Sequence, residues 1–184
     1  MQFSKLKKTL ESFLCDSLRG RLEIYATVYR HSHDDKTRVW LTLDNEQIFS
    51  AADLTFQVVH NRLYEEIKKE QQLKPIPYSA NWEEMFNSPE RVALVKAFDN
   101  IENQLMEQGI MGSWHLYHAF IDYPNLSIDE ALSSEDPVTR AFALFDRRVG
   151  KRRLLKMATF HHPLEQQFYS IRCKSEGIKS RIHN

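Results

Sequence analysis

Asp136 to Lys156 read DPVTRAFALFDRRVGKRRLLK, and the way this stretch folds sets the architecture around it. Asp136 is a residue type favoured at a helix N-cap, and Pro137 suits the first helical position, where a missing N–H costs nothing. Val138, Ala141, Phe142, Phe145 and Val149 then fall on one helical stripe. At Gly150 the stripe stops, because continuing it would bury Arg152, Arg153 and Lys156 without partners. Apolar positions restart out of phase at Leu154, Leu155 and Ala158. The pattern predicts two packed helices with a break or tight turn at Gly150. Around that corner crowd Arg140, Arg147, Arg148, Lys151, Arg152, Arg153 and Lys156, with only Asp146 opposing them there.

Downstream, His162-Pro163 opens a last helix with Leu164, Phe168 and Ile171 inward and Gly177 at its end; residues 179–184 are expected to fray. Upstream, the same punctuation repeats. Ser127-Ile128-Asp129-Glu130 is a capping box, Gly112-Ser113 opens a short helix, and Ser88-Pro89-Glu90 opens a long one with Leu94, Phe98, Ile101 and Leu105 inward. A short helical segment around Trp82 to Phe86 precedes it. This succession of short capped helices resembles HEAT-type arrays in rhythm, without an exact repeat.

The first part of the chain has a different period. Phe3, Leu6, Leu10, Phe13 and Leu14 mark a helix that Gly20 is placed to end. From Arg21 apolar and polar residues alternate: Leu22, Ile24, Ala26 and Val28, then Val39, Leu41 and Leu43. Residues 31–36 are a polar hairpin connection, Asp44-Asn45 is a turn that tolerates positive φ, and Gln47 to Ser50 is a short third strand. A helix over 54–72, capped by Ser50 or Asp53 and striped by Phe56, Val59, Leu63 and Ile67, is expected to cover the aliphatic face of the sheet. The fold class is therefore α+β: an N-terminal helix and a three-stranded antiparallel meander, then a mostly helical C-terminal half of short packed helices. Residues 1–72 form the first part, 73–81 with two prolines a linker, and 82–178 the helical part; the whole can also pack as one compact domain.

Charge is unevenly shared. Residues 44–136 carry six Lys+Arg against seventeen Asp+Glu, whereas residues 137–184 carry eleven against three. Such asymmetry points the basic end at an acidic or nucleic-acid partner, or at the acidic middle of its own chain or of a dimer mate. Met1 to Leu14 lacks an uninterrupted apolar run and no stretch approaches about 20 apolar residues, so neither a secretory leader nor a membrane span is expected. Cys15 and Cys173 read as reduced thiols of a cytoplasmic protein.

Three constellations carry possible chemistry. His31, His33 and Asp34, with Asp35, sit in the hairpin connection, where His31 and His33 share a face and can bite one ion. Ordinary turn chemistry explains the same residues, and a third ligand must come from afar, from His60, His115 or His118. His115 and His118, one turn apart, read as satisfied imidazoles on an aromatic helix. The basic corner is the strongest: guanidinium groups grip phosphate or carboxylate bidentately and stay charged at physiological pH. Arg147, Arg148, Lys151, Arg152 and Arg153 are the candidate partner- or phosphate-binding residues. No Gly-X-Ser-X-Gly, phosphate-cradling glycine loop or Cys–His pair is present, so no cofactor is assigned and catalysis is left open, leaning against. The reading is a non-enzymatic binding protein that engages a protein or polyanion. The alternatives are a nucleic-acid-binding protein and a metal-dependent hydrolase built on His31–Asp35.

Several blocks together resemble a known family. They are Gly20-Arg21 leading to Tyr29-Arg30-His31-Ser32-His33-Asp34, Glu107 to Ile110, Asn125 to Leu132, Asp146 to Leu154, and Phe168 to Ile178. The family is an uncharacterised one of small bacterial proteins. The resemblance spans nearly the whole chain, is weakest over about residues 72–100, and implies an intact member. It brings no catalytic residue, cofactor or partner.

Overall fold

Leu6 and Leu10 lie one turn apart on α1 (Phe3–Phe13) and are buried, with Leu14 just beyond its end. The computed structural model describes residues 2–28, 37–157 and 159–179. β1 (Leu22–Val28), β2 (Thr37–Leu43) and β3 (Glu46–Ala52) form an antiparallel meander in the order β1-β2-β3. Asp44 and Asn45 turn β2 into β3 with φ of 52° and 68°, the left-handed pair that a tight hairpin requires. The register stacks Ile24, Leu41 and Phe49 on the inner face, with Ala26, Val39 and Ala51 beside them.

The inner face is not covered as the sequence suggested. α2 (Asp53–Glu70) leaves the sheet at Ala52 and runs beside α4 (Pro89–Glu107) instead. Its first carboxylate is not a cap: Asp53 accepts hydrogen bonds from the Thr37 N–H (2.8 Å) and from the Ser113 N–H (2.7 Å), tying β2 to α5 (Ser113–Asp122). The sheet packs instead under α1, α5 and α9 (Pro163–Ser175), with Phe49 edge-on to Phe168 at 6.3 Å. One apolar cluster thus joins Leu6 and Ile24 to Phe120, Phe142 and Phe168.

α2 and α4 hold a second, smaller core of Phe56, Ile101 and Leu105. His60 is buried within this pair, its ring 4.1 Å from that of Phe98 and its Nε2 3.1 Å from the Phe98 carbonyl. Residues 73–80 form neither helix nor strand, and α3 (Trp82–Phe86) leads into α4 through Ser88, whose hydroxyl accepts from the Arg91 N–H.

Capping places most helix starts where the sequence puts them. Ser127 and Glu130 form the reciprocal box of α6 (Ile128–Leu132), and Asp136 accepts from the Val138 and Thr139 N–H groups at the head of α7 (Pro137–Ala143). His162 opens α9: its Nδ1 accepts from Leu164 N–H, so its Nε2 donates to the Met106 carbonyl at 2.7 Å.

The end of α7 differs from expectation. The helix stops at Ala143, not Gly150, and the chain tightens through three i→i−3 bonds, from the N–H groups of Leu144, Phe145 and Asp146. Phe145 and Val149 are buried as their stripe requires, but from a turn. Gly150 is an ordinary extended N-cap of α8 (Lys151–Leu154), with φ −72°. The break exists and starts a turn and a half early.

Candidate interaction surface

Once α7 unwinds, the carbonyls of residues 144–149 need donors, and two distant elements supply them. The chain leaving α1 pairs with the turn: Cys15 N–H donates to Phe145 O (2.9 Å), and Arg147 N–H to Phe13 O (2.8 Å). From α9, the buried Arg172 guanidinium donates through Nη1 to Phe145 O (3.1 Å) and through Nη2 to Val149 O (3.1 Å), while pairing with Glu176. The sequence signal for Arg172 was available. It stands at the i+8 position of the Leu164–Phe168 stripe, and it is more buried than the neighbouring Ile171.

Asp146 has no solvent exposure and is the hub of the turn. It accepts from the Tyr123 hydroxyl at 2.6 Å, and from the Arg148 Nη2 at 2.7 Å and backbone N–H at 2.7 Å. Arg148 also donates to Leu126 O (2.8 Å), and its guanidinium carbon lies 4.7 Å from the Phe13 ring centroid. Burial, and then the bond to Asp146, push the Tyr123 phenol far above its ordinary pKa, so it remains a donor. The bond to Asp146 likewise raises Arg148.

The basic corner therefore divides. Arg148 is spent on Asp146, Arg140 on Glu165 (2.7 Å), Lys151 on Glu176 (3.0 Å) and Arg153 on Asp129 (2.6 Å). Of these acceptors Asp146 belongs to the stretch itself and Asp129 to the acidic middle of the chain, while Glu165 and Glu176 come from the basic end; Glu102 serves His115, at 3.1 Å. Burial works against the charge on Glu176, but Lys151, Arg172 and Ser17 together hold its carboxyl below the usual range. Arg147, Arg152 and Lys156 are exposed and have no ion-pair partner among the described residues. Lys156 and Arg140 rim a cleft of about 340 Å³ floored by Leu132, Leu144, Met157 and Phe160.

Other candidate residues are distributed differently. His31, His33 and Asp34 lie outside the described residues. His115 takes the Gly112 N–H on Nδ1 (3.1 Å) and so donates from Nε2 to Glu102. His118 is exposed and lines, with Asp122 and Asp136, a cleft of about 410 Å³. Among the described residues, no group of three or more His, Cys, Asp or Glu is placed to hold a metal ion. Cys15 and Cys173 are buried free thiols, and burial raises the Cys173 pKa. On the outer sheet face Tyr25 and Trp40 stack 5.3 Å apart. Lys7 covers Tyr25 at 4.4 Å and Arg38 covers Trp40 at 4.9 Å, so each ring already carries a cation.

The fold is that of an α+β protein with a three-stranded antiparallel meander and a mostly helical C-terminal half. The chain belongs to the SF0329 protein family, an uncharacterised one, whose model matches residues 2–173. No curated protein and no solved structure matches the chain. No helix among the described residues is long and apolar enough to cross a membrane.

Proposed function

We propose that this chain is a bacterial, cytoplasmic, non-enzymatic binding protein that takes an acidic protein surface on the ridge of Arg147, Arg152 and Lys156. One observation carries the reading: in a segment where four cations are consumed by ion pairs, these three are exposed and unpaired among the described residues. Exposed unpaired cations add little to stability but steer and select an oppositely charged partner. Arg148, Lys151 and Arg153 brace the ridge. A protein is favoured over a nucleic acid as the polyanion because the Tyr25–Trp40 pair, the aromatic platform nearest to a base-stacking site, is closed by Lys7 and Arg38.

The test is simultaneous reversal of Arg147→Glu, Arg152→Glu and Lys156→Glu, followed by affinity capture over a salt series. The reversed protein keeps its melting temperature within a few degrees, since surface substitutions of this kind cost about 0.5 kcal/mol or less each. It loses the acidic proteins that the wild type retains at low salt. Identical capture by both forms overturns the reading, as does capture abolished by nuclease, which assigns the ridge to nucleic acid.

A further inference from the structure

Tyr78 and Trp82 are 89% and 69% exposed, the highest values among the large hydrophobic side chains of the described residues. Both lie at the tip of the arm formed by α2 and α4. α4 meets the body from Glu102 onward, through Glu102 to His115 and through the Met106 carbonyl to His162. α3 and the first turn of α4 stand about 20 Å further out along that helix. The tip has a set shape: Asn81 caps α3 by accepting from the Glu83 N–H at 3.0 Å, and the Ser79 hydroxyl donates to Glu84 at 2.7 Å. Trp82 and Phe86 are one turn apart, and the Arg91 guanidinium faces Phe86 at 3.7 Å, which leaves Trp82 as the open ring. From Pro75 to Glu90 the chain holds Glu83, Glu84 and Glu90 and no basic residue. Among the described residues neither Glu83 nor Glu84 pairs with a cation. An exposed indole flanked by unpaired carboxylates has the anatomy of a docking knob rather than of ordinary solvated helix.

The body carries the complementary surface. The cleft of about 340 Å³ at the end of the ridge is floored by Leu132, Leu144, Met157 and Phe160. On its rim Arg140 and Glu165 neutralise each other at 2.7 Å, so the exposed Lys156 sets the charge there, with the exposed Arg152 one turn before it. Trp82 seated on this floor brings Glu83 and Glu84, the next two residues, to the rim that Lys156 and Arg152 occupy. The indole then meets apolar side chains and the carboxylates meet cations. Within one copy the tip and the ridge are both exposed and neither covers the other, so the occupant comes from another molecule. We infer that the arm tip of a second copy of this chain docks on the ridge, with Trp82 in the cleft and Glu83 and Glu84 against Lys156 and Arg152. This names a partner for the ridge and so rests on its reading as a site for an acidic protein surface.

Sedimentation velocity of the full chain over a concentration series tests it. The wild type is expected to self-associate and to dissociate on dilution. Trp82→Ser, which leaves every charge in place, is expected to weaken association roughly tenfold or more, with helix content and melting temperature retained. A tip variant, Glu83→Lys with Glu84→Lys, sets cations against the ridge, and a ridge variant, Arg152→Glu with Lys156→Glu, sets carboxylates against the tip. Each alone is expected to be monomeric. Mixed in equal amounts they match wild-type tip to wild-type ridge and reversed tip to reversed ridge, and association returns. A monomeric wild type at every concentration overturns the inference, as does association indifferent to Trp82→Ser or a mixture that stays monomeric. Trp82→Ser keeps the ridge intact, so it still retains other acidic proteins at low salt. Such retention by a monomeric wild type overturns self-docking alone, whereas capture unchanged by the ridge reversal overturns the reading of the ridge.

Discussion

Asp146 shows how one residue decides a local fold. A carboxylate with no exposure is costly unless its lone pairs are filled, and here Tyr123, Arg148 and the Arg148 N–H fill them. Tyr123 therefore links stability to alkaline pH. Its pKa is raised in the folded chain, while the unfolded chain ionises it near pH 10. The stabilisation is whole below about pH 10 and is lost above it, as only the unfolded state sheds the proton. Tyr123→Phe should cost roughly 1.5–3 kcal/mol at neutral pH, the worth of a bond to a charged acceptor, and should flatten the alkaline fall of stability in urea titrations. Arg172 is the second such residue. A lysine there keeps the charge but cannot fork between Phe145 O and Val149 O. Arg172→Lys should lower the urea midpoint by the equivalent of about 2–4 kcal/mol, whereas Lys174→Ala, on the exposed side of the same helix, should leave it unchanged.

At the scale of elements, beginnings were legible and endings were not. Asp136-Pro137, Ser88-Pro89, Ser127–Glu130 and His162-Pro163 each open a helix where expected, because a cap is a contact between residues two or three apart. The end of α7 is settled by Cys15 and Arg172, which come from distant parts of the chain and leave no periodic trace between 136 and 156. For the same reason the corner looked like one cationic patch: the partners of Lys151, Arg153 and Arg140 are Glu176, Asp129 and Glu165, none within the segment. The two glycines that open α8 and α5 separate these kinds of information. Gly150 has an extended φ and open space where a Cβ would stand, so Gly150→Ser should hold stability within about 0.5 kcal/mol. A Cβ on Gly112 would lie 2.0 Å from the Trp114 ring. Gly112→Ala must expel that ring from its edge-on contact with Phe56, 4.9 Å between centroids, and should cost more than 1 kcal/mol with a shift in tryptophan fluorescence.

Across the whole molecule the two cores differ greatly in size. The main cluster draws on α1, the sheet, α5, α7 and α9, while the α2–α4 arm is held by Phe56, Ile101 and Leu105 with half-buried neighbours such as Val59 and Leu63. Each fully buried large apolar side chain contributes roughly 1.5–3 kcal/mol, so the arm has far less to lose on opening than the body. Its two helices are joined by the side-chain bonds of His60 to Phe98 O and Tyr64 to Leu94 O, the latter at 3.5 Å, whereas the bonds of Asp53, Glu102 and Met106 O to the body lie at the ends of the arm nearest it. Segments with little buried area open first and set the low end of native-state exchange. Amides of residues 58–68 and 92–100 should exchange through a sub-global opening well below the free energy that protects Phe142 and Tyr169, and should do so with a denaturant dependence smaller than that of global unfolding. Equal protection of arm and body at low concentration would mean that the arm is welded to the main core, and the physical distinction between the two clusters would fall.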